Sequence, residues 1–264
     1  MGNFEGLSTP RRGAAGPWEW SVPDGWQQGR GAFGGLVIAT MVRAIDEHVA
    51  DPERTVRSLT VELPGATLVG AAEIAVETLR AGSGQSTVAA RLTQGDELRA
   101  HCVAVSAKAR PGSEGFVEAS APRMTPWRDV PVVDMSAFGP PFAKAFEYRN
   151  VGPLPFTKGP SARCEGWVRM HEPGAKADAA WCAAMLDAWW PTLFSRSAGP
   201  RPMGTVAFTM QVLRDLRGVD PEGTFAYRAW TPVAHEGWVL ETRELWDDQG
   251  NIVAMNQQTF AVIK

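Results

Sequence analysis

Apolar residues change their spacing twice along this chain. From Gly34 to His48 (GGLVIATMVRAIDEH) they recur at helical intervals, at Val37, Met41 and Ile45 and again at Ile38 and Val42, which predicts a buried helix opened by two glycines. Beyond it the pattern breaks into runs of strand length: Val56 to Leu63, Ala71 to Leu79, Gln85 to Thr93 and Leu98 to Lys108. Turn signals at Pro64-Gly65, Gly82-Ser83-Gly84 and Gly95-Asp96 divide them. Long segments with short turns predict an antiparallel meander.

The same order returns in the last hundred residues. Ala179 to Phe194 reads as a helix, followed by strands at Gly204 to Leu213, Thr224 to Thr231, Trp238 to Trp246 and Ile252 to Ile263. A short extended segment precedes each helix, Pro17 to Val22 in one half and Arg163 to His171 in the other, and the offset from Phe33 to Val56 is similar to that from Ala179 to Gly204. The chain therefore reads as an internal duplication. A helix wrapped by a long antiparallel sheet is a hot dog unit, so the expected class is α+β, a double hot dog. The repeats fall at 1–110 and 161–264, and their exposed sheet edges are expected to pair into one surface.

Between them, residues 111–160 carry Pro111, Pro122, Pro126, Pro131, Pro140, Pro141, Pro153, Pro155 and Pro160. Proline removes backbone donors and restricts its predecessor, so this segment reads as a linker rather than helix or central strand. Trp127, Phe138, Phe142, Phe146 and Tyr148 within it predict that it packs on the surface of something.

Composition narrows the function classes. Hydrophobic residues make up 44% and charged residues 21%, which excludes wholesale disorder. With 26 Lys plus Arg against 29 Asp plus Glu, the net charge of −3 supplies no basic field for nucleic acid. Cys102, Cys164 and Cys182 form no CxxC pair, and His48, His171 and His235 are scattered, so no disulfide framework or metal site is expected. No apolar run of signal-peptide length follows Arg11-Arg12 and no window reaches membrane-span length, so the expectation is a cytoplasmic protein without a membrane span.

One position stands out chemically. From Ala179 to Ser195 every side chain is uncharged except Asp187, and its own helical face carries only Ala180, Ala183, Ala184 and Pro191. Burying a carboxylate alone is costly, so Asp187 is either paired inside the protein or sits at an exposed edge capping a loop. Thr205 begins the next strand. Gln258 shares a pleat face with Ile252, Ala254, Phe260 and Val262, although Asn256 interrupts that face, and a buried primary amide must find partners. Gln257 points the other way.

Asp187 in Met185-Leu186-Asp187, Thr205 in the following strand and Gln258 late in the last strand resemble the Asp, Thr, Gln set of the bacterial acyl-CoA thioesterase II family. Gly31-Ala32-Phe33-Gly34-Gly35 is similar to that family's FGG segment, although Leu36 stands where many relatives carry glutamine; the likeness runs from Gly25 to Ile263. The resemblance implies a cofactor-free hydrolase of fatty acid metabolism that splits acyl-CoA into free acid and CoA. Asp187 would be the base that aligns water, Thr205 and Gln258 would hold that water, and Gly34 and Gly35 would offer backbone N–H groups to the substrate. Val42 falls where the second helix has Asp187, which implies one site per chain. The sheet's outer surface offers a route to a homo-oligomer. Two other readings stay open: an acyl-CoA binding or regulatory protein without turnover, and a hot dog enoyl-CoA hydratase built on Asp96 and His101, whose motif here lacks its usual Asn-Pro.

Overall fold

A computed structural model describes residues 2–14, 16–110, 112, 114–137 and 139–263, so Pro111 and Phe138 of the proline-rich segment lie outside the described residues. In chain order the elements are α1 (Phe4–Leu7), β1 (Arg11–Arg12), β2 (Trp18–Val22), β3 (Gln27–Gln28), β4 (Gly31–Ala32), α2 (Gly34–Val49), β5 (Arg54–Glu62), β6 (Gly70–Ala81), β7 (Gln85–Gln94) and β8 (Glu97–Lys108). They continue with β9 (Phe146–Asn150), β10 (Arg163–Met170), α3 (Ala179–Asp187), β11 (Met203–Val212), β12 (Phe225–His235), β13 (Trp238–Trp246) and β14 (Ile252–Val262).

Helix α2 is buried from Gly35 to Ile45, as expected of a helix that is apolar on nearly every side. It ends where Ala50 turns left-handed and returns its N–H to Asp46. Helix α3 starts on Asp178, whose carboxylate accepts the Trp181 N–H at 2.8 Å. It stops at Asp187 and not at Phe194, which corrects the longer expectation. Pro191 disfavours helical backbone at Trp190 and brings no N–H of its own, so the chain opens over 188–191 before a single 3-10 turn at Thr192–Ser195. The consequence is positional: Asp187 lies at a helix end, not in a helix middle.

Twelve strands form one antiparallel sheet in the order β1-β2-β6-β7-β8-β5-β11-β14-β13-β12-β10-β9. Its halves meet at β5 and β11, from Glu62 opposite Ala207 to Ser58 opposite Gln211. Outward from that seam the order is β5, β8, β7, β6, β2 on one side and β11, β14, β13, β12, β10 on the other. Each long helix comes before its seam strand in the chain, and α2 and α3 pack on one another and against the sheet.

The proline-rich segment is more integrated than a linker. Its stretch from Phe142 to Gly152 has no proline, and Phe146–Asn150 forms the edge strand β9 on β10. Phe142, Phe146 and Tyr148 are core residues rather than surface packing: Phe142 stacks on Phe33 at 4.0 Å, and Tyr148 meets Trp189 edge-on at 5.4 Å. On the sheet's outer side Ala121 and Met124 cover Trp246 and Ile252.

Candidate active site

The opening of the chain after Asp187 leaves this carboxylate between the two helices and the sheet, with only 8% of the residue exposed. Its Oδ2 accepts the Gly35 N–H from the start of α2 at 2.8 Å. Its Oδ1 accepts the Gln258 Nε2 amide from β14 at 2.9 Å. A carboxylate is acceptor only, so the Gln258 nitrogen faces it and the Gln258 Oε1 turns to Thr205, whose hydroxyl donates at 3.1 Å. Having given its proton to Gln258, the Thr205 oxygen keeps acceptor capacity for another donor.

Local backbone features aim these groups. The β11 ladder slips between Thr205 and Ala207, a bulge that brings Thr205 onto the side of Gln258, while the Val206 carbonyl takes the Leu63 N–H across the seam. A Cβ on Gly34 would stand 2.9 Å from Asp187 Oδ2, so only glycine leaves room there. Gly34's own N–H has no protein acceptor among the described residues. Gly35 differs from the sequence expectation in that its donor is spent on Asp187 and so is not available to a substrate.

Burial pushes the Asp187 carboxyl above its ordinary range, and the Arg243 charge, the Gln258 amide and the Gly35 N–H pull it back only in part. Arg243 also donates to the Leu186 carbonyl at 2.8 Å, compensating the negative end of α3 where an acid is otherwise disfavoured.

Beside this group opens a cavity of about 730 Å³, large enough for a substantial organic ligand. Gly34, Leu63, Thr205, Phe142, Trp189 and Trp190 form much of its wall, which is mainly apolar, and Arg30 and Arg201 are exposed on it. The site thus joins a buried carboxylate, a hydroxyl and an amide to a mainly apolar chamber with cationic groups on its wall.

Asp187, Thr205 and Gln258 therefore come together despite their separation in sequence, and Gly34 and Gly35 lie against the acid. Gln257 is exposed, as its pleat parity requires. Asp96 and His101 do not join the site: Asp96 is in an exposed turn, and the His101 ring faces Glu62 at 3.3 Å. All three cysteines are free and buried. No group of three potential metal ligands occurs among the described residues, and no described helix is long and apolar enough to cross a membrane. Two site residues escaped the sequence reading, Glu241 and Arg243. Both are buried, and the alternation Val239, Glu241, Arg243, Leu245 places them on one inward face of β13, a signal that was available.

Comparison with known families and structures bears on this arrangement. The model of an acyl-CoA thioesterase C-terminal domain matches residues 114–262, and that of an acyl-CoA thioesterase N-terminal domain matches 22–109. No curated protein matches the sequence. Among solved structures, the chain is similar to a conserved hot dog protein of unknown function from Alicyclobacillus acidocaldarius, with 23% identity over 99% of this chain and 98% of that one and a TM-score of 0.89. A candidate thioesterase II from Thermobifida fusca shares 19% identity over 100% and 98% of the two chains, with a TM-score of 0.85. An acyl-CoA thioesterase II from Mycobacterium marinum shares 18% over 98% of each, with a TM-score of 0.76. These likenesses establish a hot dog fold.

Proposed function

This chain belongs to the acyl-CoA thioesterase family, and from that premise we propose that it hydrolyses an acyl-CoA thioester to the free acid and CoA at Asp187, Thr205 and Gln258. The observation that carries the reading is the hydrogen-bonded chain from Asp187 through Gln258 to Thr205 where it meets the cavity. A water seated between the Asp187 carboxylate and the Thr205 oxygen would donate to both. Asp187 takes one proton as the water oxygen bonds to the thioester carbon, the carbonyl oxygen becomes anionic, and the Gly34 N–H at the positive end of α2 is the donor free to receive it. The C–S bond then breaks, and the CoA thiolate leaves with the proton held by Asp187. This route asks for no cofactor or metal.

Two hot dog repeats in one chain fit this reading. The strand order repeats outward from the β5–β11 seam, each half led by its own helix, with residues 1–110 and 161–264 as the repeats and 111–160 between them. Val42, buried in α2, takes the place Asp187 has in α3, which leaves one hydrolytic site per chain. Free-thiol release from a panel of short and long acyl-CoAs tests the reaction. Turnover supports it, and none across the panel would favour the binding-protein alternative.

The raised pKa of Asp187 predicts the pH dependence. A base works only when unprotonated, so a pKa lifted by burial moves the acidic limb of kcat/KM above the ordinary carboxylate value of about 4. Activity should be lost as pH falls through that limb and retained above it. A limb at or below about pH 4 would remove burial as the controlling influence.

Arg30 and Arg201, exposed on the cavity wall, are placed to meet the phosphates of CoA. Replacing both with alanine should raise KM for an acyl-CoA severalfold with little change in kcat, while KM for the phosphate-free N-acetylcysteamine thioester stays as it was. Equal losses on both substrates would mean that the two arginines act on the fold instead.

A further inference from the structure

We propose that Arg243 and Glu241 are a buried positioning pair that holds Asp187 as the base and ties it to the cavity wall, an inference that rests on the hydrolytic reading of Asp187. Both lie on β13, Arg243 at 1% exposure and Glu241 at 0%. The Arg243 Nη1 donates to the Leu186 carbonyl at 2.8 Å and stands 3.5 Å from Asp187 Oδ1, a charge contact beside the bond from Gln258. Its Nε donates to Glu241 Oε1 at 2.7 Å. The other Glu241 oxygen accepts both the backbone N–H and the hydroxyl of Thr192, each at 2.7 Å. Thr192 directly follows the cavity-lining Trp190 and Pro191, so an unbroken polar path runs from the acid to that wall.

Such a path is costly to bury and therefore informative. An ion pair removed from water contributes little net stability, and an apolar pair of similar volume often serves the fold as well. What the pair supplies here is a fixed positive charge beside a buried acid at the negative end of a helix. Arg243 favours the ionised Asp187, and Glu241 opposes it from farther away while clamping the guanidinium in place. The other titratable groups facing the cluster are Tyr148 of β9, Tyr227 of β12 and Cys164 of β10, all held neutral by burial. Arg243 is thus the cation that acts on Asp187, and its charge is held more firmly than usual: burial works against it, but the neighbouring Glu241 and Asp187 carboxylates outweigh that cost.

Opposite shifts on the two sides of the pair are the test. Arg243→Met should move the acidic limb of kcat/KM upward by about 1–3 pH units, the range an adjacent opposite charge supplies, with KM little altered and activity recovering in alkali. Arg243→Lys should return part of the shift. Glu241→Gln should move the limb downward. The carboxyl titration of Asp187, followed by ¹³C NMR and assigned by its absence in Asp187→Asn, should shift in the same directions without any turnover being needed. If Arg243→Met does not fold, the lysine and glutamine variants carry the comparison. Unshifted titration in these variants, or shifts of one sign on both sides of the pair, would overturn the proposal. A wild-type protein that hydrolyses no acyl-CoA would instead defeat the hydrolytic reading.

Discussion

Replacing Asp187 with asparagine is expected to lower kcat for thioester hydrolysis by about 10²–10⁴, the range supplied by a positioned general base, while KM stays close to that of the unaltered protein. The amide has nearly the same shape but cannot take a proton. It also has one acceptor oxygen where the carboxylate has two, so it can satisfy either the Gly35 N–H or the Gln258 amide but not both. That lost hydrogen bond costs about 0.5–1.5 kcal/mol, offset by the relief of an acid held in a buried place, and the fold should persist. Steady-state kinetics beside a circular dichroism melt separates the two effects. Full turnover in a folded Asp187→Asn would exclude Asp187 as the base.

Gly35→Ala is expected to destabilise the protein by about 1–3 kcal/mol, the usual cost of overpacking a core. The added methyl would stand 2.5 Å from Phe33 Cζ and 2.9 Å from the Cα of Ala184. Neither neighbour yields easily. The Phe33 ring is stacked on Phe142 at 4.0 Å, and the Ala184 contact is backbone of the facing helix. Separating the helices also draws the Gly35 N–H away from Asp187, so stability and hydrolysis should fall together. At about 2–4 °C per kcal/mol for a chain of this size, Tm should drop by several degrees, and an unchanged Tm would show that α2 and α3 can part at no cost.

The local pattern of the sequence determined most of the elements and the candidate acid. Strand β13 begins and ends where the alternation from Trp238 to Trp246 places it, and α2 starts on Gly34 as its glycine pair predicts. Asp187 and Gln258 stood out because a carboxylate in an uncharged helix and an amide on an apolar pleat face are anomalies of period and polarity, both local properties, whereas Thr205, an ordinary strand residue by itself, was singled out only by the family resemblance. Other features depended on tertiary contacts. The edge strand Phe146–Asn150 and the entry of Phe142 and Tyr148 into the core follow from what those segments pack against, and proline content alone pointed to a surface linker. Gly35 gives its N–H to an acid 152 residues away, and Arg243 reaches Asp187 from a strand 56 residues on. Periodicity reports which face a residue occupies. Which donor meets which acceptor, and which charges share a dry interior, is decided only when helices and strands remote in sequence close around them.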